Sequence, residues 1–150
     1  MKKSYIVICS VFMLFIVGCN EAQLSPLQRK LLESKDIQGN YQDAYKATLQ
    51  VLQDYEYGIT NTDYASGVIH GETGTKKDFW GYMRWFEATA TLEQFGDNTV
   101  KERLTILAKK KFSSQYGTQE ESKVVEDPEL FSKIYDDIQK EVFIRQNINK

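Results

Sequence analysis

The sequence predicts an α+β domain: an antiparallel β-sheet of about four to five strands with two helices packed on one face, in the order β-α-β-β-β-β-α. Two observations carry this. Segments 41–55 and 128–143 repeat apolar residues every three or four positions, the period of an amphipathic helix. Segments 80–93 and 99–112 alternate apolar and polar residues, the period of a strand buried on one face and wet on the other. The helices bracket the strands in sequence, so both are expected to cross the same face of the sheet.

Arg29 to Ile37 reads as an opening strand, although Leu31 and Leu32 break the alternation. The first helix follows. Tyr41, Ala44, Tyr45, Thr48, Leu49, Leu52 and Tyr55 form its apolar stripe, Asn40 is its N-cap, and Asp43 lies favourably in its first turn. Gly58 is placed to turn the chain afterwards. Two short strands, Tyr57–Thr60 and Gly67–Thr73, flank a turn-forming loop from Asn61 to Ser66.

The long hairpin is the most constrained part. Its inward positions are Trp80, Tyr82, Phe86, Ala88, Ala90 and Leu92 on one strand, and Val100, Leu104, Ile106, Ala108 and Phe112 on the other. Matching faces requires a loop of odd length. A three-residue loop at Gly96-Asp97-Asn98, with Asn98 left-handed, satisfies this. The register then opposes Glu93 to Lys101, Thr91 to Arg103 and Trp85 to Lys109. Ser113 to Glu126 carries no pattern and reads as a surface loop. Asp127-Pro128-Glu129 opens the last helix, with Asp127 as N-cap and Pro128 in the first turn. Leu130, Phe131, Ile134, Tyr135, Ile138 and Val142 form its stripe, which fades at 143–145.

The first residues belong to a different category. Met1-Lys2-Lys3 is a basic start, Tyr5 to Val17 is almost wholly apolar, and Ile16-Val17-Gly18-Cys19 closes the run. This is the layout of a secretory signal. A single membrane-spanning anchor is the alternative, but the run is shorter than the ~20 residues a spanning helix needs. The organisation expected is therefore a cleaved signal at 1–18, a tether at 19–27, one domain at 28–146 and a short tail at 147–150. Cys9 leaves with the signal, so the mature chain has no disulfide, Cys-based metal site or thiol nucleophile. Without Lys2 and Lys3, 17 basic residues face 21 acidic ones. That balance gives no basic excess for nucleic acid. Nine Tyr, eight Phe and two Trp mark a folded chain rather than a disordered stalk.

Gly18-Cys19 at the end of the apolar run resembles the lipobox of bacterial lipoproteins. The resemblance implies that Cys19 is acylated and becomes the mature N-terminus. Asn20, where an Asp would favour inner-membrane retention, implies the outer membrane, facing the periplasm. From Ala44 through Gln53-Asp54, Tyr57-Gly58-Ile59-Thr60, Asp63 and Gly67-Val68-Ile69, and again at Asp127-Pro128, Phe131, Tyr135, Ile138 and Phe143, the chain resembles a family of uncharacterised Gram-negative envelope lipoproteins. It has a looser likeness, of pattern only, to BamC-type helix-grip domains. The matched positions are helix faces, a turn glycine and sheet core, and they carry over no catalytic residue.

Candidates for chemistry are few. His70 is the only histidine and lies in a strand, so a zinc site of ordinary ligand spacing is not expected. No Ser sits in a nucleophile elbow. Asp136-Asp137 and Glu120-Glu121 read as solvated surface. No catalytic residue, metal or cofactor is therefore expected, and the chain is read as a non-enzyme. Lys109-Lys110-Lys111 reads as a solubilising strand end that discourages edge pairing, or as a contact for anionic lipid headgroups. In Phe79 to Phe86 both parities are large and apolar, and Phe79, Met83 and Trp85 fall on the outer face as a possible partner surface. The expectation is a membrane-anchored protein-binding or scaffold module. Its partners would be membrane lipid through Cys19 and an envelope protein. The alternative is a lipid or peptide carrier, gripping its ligand between sheet and last helix beside Phe86, Ile106, Ile134 and Ile138.

Overall fold

A computed structural model describes residues 24–148. The signal segment, Cys19 and the last two residues lie outside them. The fold is α+β, an antiparallel sheet with helices on one face, as the patterning predicts, but with seven strands and three helices among the described residues. In chain order these are α1 (Pro26–Leu32), β1 (Ser34–Gln38), α2 (Tyr41–Asp54), β2 (Tyr57–Asp63), β3 (Val68–Thr73), β4 (Lys76–Lys77), β5 (Met83–Gln94), β6 (Thr99–Ser114), β7 (Gly117–Val124) and α3 (Pro128–Ile148). The sheet runs β1-β6-β5-β3-β2. β1 and β7 occupy successive stretches of one edge of β6, while β3 and β4 do the same along β5.

The hairpin register is the one expected, with Glu93 opposite Lys101, Thr91 opposite Arg103 and Trp85 opposite Lys109. The left-handed residue of its loop is Gly96, at φ 91°, rather than Asn98. Glycine takes that conformation without the Cβ penalty that Asn pays. After α2 the same role falls to Glu56, at φ 65°, and Gly58 lies inside β2.

Four further expectations are corrected. The N-terminal segment is a helix before it is a strand. Ser25 caps α1 through a reciprocal capping box with Gln28, and Pro26 sits at its start. The α1 helix buries none of its residues, which is why no apolar stripe announces it. Segment 113–126 is not a loop: β6 runs to Ser114 and returns as β7. β7 is exposed along nearly its whole length, so it has no buried parity to reveal. The lysine run 109–111 consequently lies within a paired strand, opposite Ser122, Glu121 and Glu120. Finally, α3 continues to Ile148, past the expected fade.

α2 and α3 pack on the inner face of the sheet. Ala44, Ala47, Val51 and Leu52 from α2 and Phe131, Ile134, Ile138 and Val142 from α3 meet Ile37, Ile69, Ala88, Ala90, Leu92, Val100, Leu104 and Ile106. At the start of α2, Asn40 Oδ1 accepts from Asp43 N at 2.9 Å. Asn40→Ala is expected to lower unfolding stability by about 1 kcal/mol, the usual worth of such a cap, as read by urea denaturation.

Candidate functional site

The helices are too short to cover the whole hairpin. α2 ends at Asp54 and α3 starts at Pro128, and Tyr55 and Leu130 from these helix ends both border an open groove that Ile106 also lines. Beyond Ile106 the inner face of β5 and β6 runs on uncovered. The groove has a volume of about 1110 Å³, just above the usual range for sites that hold small molecules. Phe86, Ile106 and Ala108 form its floor, Tyr55, Tyr57 and Leu130 flank it, and Thr73 to Lys76 lie along one side.

The lining cations Lys76, Arg84, Lys109, Lys110 and Lys123 outnumber the lining carboxylates Glu56 and Glu121. Several are already engaged. Arg84 meets Asp78 at 3.0 Å. Lys109 lies 3.5 Å from Glu87 and 3.6 Å from Glu120. The Lys110 ammonium sits 4.2 Å above the ring of Tyr82, a cation–π contact.

The residues singled out by sequence fall in three places. Phe86 and Ile106 line the groove, whereas Ile134 and Ile138 are wholly buried in the close-packed core and do not. Phe86, expected in the core, is 46% exposed, and Trp80 is 75% exposed. Phe86 is open because no helix covers this end of the sheet, whereas Trp80 lies before β5, which starts at Met83 rather than at Trp80, in the turn that follows β4. Phe79 is 94% exposed, while Met83 and Trp85 are half-buried. The Trp85 indole donates to Glu87 Oε1 at 3.1 Å. His70 Nδ1 pairs with Thr89 Oγ1 at 2.8 Å across β3 and β5, a sheet contact. Among the described residues, no group of three or more His, Cys, Asp or Glu is placed to hold a metal ion. Nor is any helix among them long and apolar enough to cross a membrane.

Sequence reasoning passed over Glu102. It occupies an inward position of β6 between Val100 and Leu104 and is fully buried. Thr48 Oγ1 lies 3.1 Å from its Oε2 and 3.0 Å from Ala44 O, and Glu102 Oε1 has no partner. One hydroxyl carries one proton. If Thr48 donates to Ala44, the proton between Thr48 and Glu102 must come from the carboxyl. Burial acts in the same direction and pushes the Glu102 pKa up to about 8. Nearby, Leu104 N donates to Glu33 O at 2.8 Å and to the Tyr135 hydroxyl at 3.1 Å, and that hydroxyl donates to Glu33 O, tying α3 to the junction of β1 and β6. Burial foremost, with the Glu102 charge second, also drives the Tyr135 pKa upward. The signal available in sequence was the lone carboxylate at core parity. The pair is structural in position, for neither residue lines the groove.

No family model matches the chain, and no curated protein matches it either. Among solved structures, a DUF4468 family protein from Bacteroides ovatus ATCC 8483 is similar in part. The TM-score is 0.39 at 11% identity, over 73% of this chain and 84% of that one.

Proposed function

We propose that this chain is a non-enzymatic binding protein of the bacterial envelope, anchored through an acylated Cys19 to a membrane and facing the periplasm, with the outer membrane as its place. The groove is its binding site, and the ligand is an amphiphile with an apolar tail and an anionic head. The observation that carries the reading is the uncovered floor of Phe86 and Ala108, bounded by the core at Ile106, beneath a rim richer in cations than carboxylates. A tail on that floor would remove apolar surface from water, and the rim would oppose the head's charge. A scaffold role, with an envelope protein held against Phe79, Met83 and Trp85, is the second reading, and the exposure of Phe79 favours it.

Purification of the native protein in mild detergent, followed by mass spectrometry of what accompanies it, separates the two. A stoichiometric anionic lipid is the expected result, and a stoichiometric protein without lipid would replace it with the scaffold reading. Phe86→Asp is expected to weaken binding of a fluorescent fatty acid by about tenfold to a hundredfold, the worth of one lost aromatic contact. Unchanged binding in that variant would place the ligand elsewhere.

A further inference from the structure

The turn between β4 and β5 presents two aromatic side chains to solvent. Phe79 is 94% exposed and Trp80 75% exposed, and their rings meet edge-to-face with centroids 5.5 Å apart. The turn that carries them is firmly built. Asp78 Oδ1 accepts from Trp80 N and from Tyr82 N, each at 3.0 Å, and Gly81 N donates to Asp78 O at 3.0 Å. The aromatic pair is thus held outward by its own turn, so little ordering would accompany its burial.

We propose that this tip is a membrane-contact surface, which places Phe79 and Trp80 in the interfacial layer of an anionic bilayer. The inference builds on the envelope reading above, and three observations select a bilayer over a protein. The first is the company the aromatics keep. Lys76 and Lys77 stand on β4 directly before them, Met83 pairs with both Lys77 and Lys111, and Arg84 pairs with both Lys76 and Lys110. Lysine is depleted at protein interfaces, whereas Trp flanked by Lys and Arg is the composition of a membrane–water interface. Basic residues at that surface also gain from anionic headgroups.

The second is the amphipathic end itself. Tyr82 stacks with Phe112 at 4.8 Å and lies under the Lys110 ammonium, so the base of the tip is an aromatic shelf bearing cations. The third is the length of the tether. Leu24 N donates to Glu126 Oε2 at 3.1 Å, which fixes the start of the domain beside the exit of β7. The chain from there back to Cys19 reaches at most about 18 Å. Val124 pairs with Leu107, and Lys111 lies farther along the same strand, about 13 Å on at the ordinary rise of a strand. A lipid on Cys19 and a tip in the bilayer are therefore compatible with one orientation, in which the groove opens close to the lipid surface.

The test uses the chain from Asn20 onward, which keeps every element of the described residues and lacks the proposed anchor. Trp85→Phe makes Trp80 the sole indole. On vesicles containing phosphatidylglycerol, Trp80 emission is expected to shift to the blue and to be quenched by brominated acyl chains, with a much weaker response on phosphatidylcholine alone. Lys76→Gln with Lys77→Gln should weaken vesicle partition about thirtyfold, and Phe79→Ser should remove most of the blue shift. Phe86→Ser is read separately, by loss of fatty-acid binding in the groove, while Phe95→Ser, an exposed aromatic at the far end of the hairpin, should leave vesicle binding unchanged, so loss of groove binding and loss of tip binding are told apart. Trp80 emission that ignores anionic vesicles would overturn the proposal. So would vesicle binding that survives both tip variants but not Phe86→Ser. A Trp80 response to an envelope protein, and not to lipid, would give the surface to a protein partner instead. Acylation of the native protein is read separately by mass, and its absence would remove the anchor without touching the tip.

Discussion

Glu102→Gln is expected to make the protein more stable at pH 8 and to flatten its stability between pH 5 and 8. The sign follows from linkage. The Glu102 carboxyl keeps its proton in the fold up to about pH 8, while in the unfolded chain it releases it near 4.5. Between those values the native state binds the extra proton, so stability falls as pH rises. The contribution is fully present below about 4.5 and is lost on passing through about 8. The slope is about 1.4 kcal/mol per pH unit, and the loss over the window is on the order of 5 kcal/mol. Glutamine keeps the shape and can donate to Thr48 Oγ1, but it has no charge to bury. Asp63, held low mainly by hydrogen bonds from Ser66, and Glu126, held low first by the Leu24 backbone N–H, act in the opposite sense at the acid end. That acid limb should survive the substitution. Urea unfolding across pH 4 to 8 checks this, and parallel wild-type and E102Q curves would show that Glu102 is ionised in the fold.

Gly67→Ala is expected to cost at least about 3 kcal/mol, roughly 10–15 °C in melting temperature. Gly67 has φ +72°, and a Cβ built on it would lie 2.1 Å from Leu92 O and 2.8 Å from the Tyr41 hydroxyl. Its own carbonyl accepts from Leu92 N at 2.9 Å. The backbone cannot retreat without breaking that bond. The Tyr41 hydroxyl, which donates to Tyr64 O at 2.9 Å, ties α2 to the same turn, and Tyr41, Tyr45 and Tyr64 pack ring against ring there. Thermal unfolding followed by circular dichroism would measure the loss. A variant that melts within 3 °C of wild type would show that the turn tolerates rearrangement.

Where one face is buried and the other wet, the sequence carried the structure far. The β5–β6 register follows from parity and loop length alone, because a slip of one residue would turn Ala88, Ala90 and Leu104 outward. Legibility ends where that contrast ends. β7 is wet on both faces, so neither it nor the end of β6 beyond Phe112 that leads into it shows a buried parity to distinguish a strand from a loop. α1 had a readable capping box in Ser25 and Gln28 but no apolar face behind it. The groove was half visible. Phe86 and Ile106 were picked out as ligand-facing, but their parity also suits a core, and only the helix lengths decide which inward residues are covered. Glu102 was hidden by the opposite effect, since a polar residue in an alternating strand reads as an interruption until Thr48 is found opposite it.

The placement of β1 sets the order in which the chain can acquire structure. Its nearest partner pair, Gln38 and Thr99, is separated by 61 residues. The β5–β6 hairpin closes over a short loop at Gly96, so it is the part that can form early and cheaply. β1 and α2 cannot bury Ile37, Ala47 or Leu52 until that hairpin has emerged and offers its inner face. The first quarter of the domain therefore waits, with its apolar side uncovered, while the rest of the polypeptide is delivered. Refolding should be correspondingly slow for a chain of this size, and substitutions in β5 and β6 should retard it more than substitutions in β1.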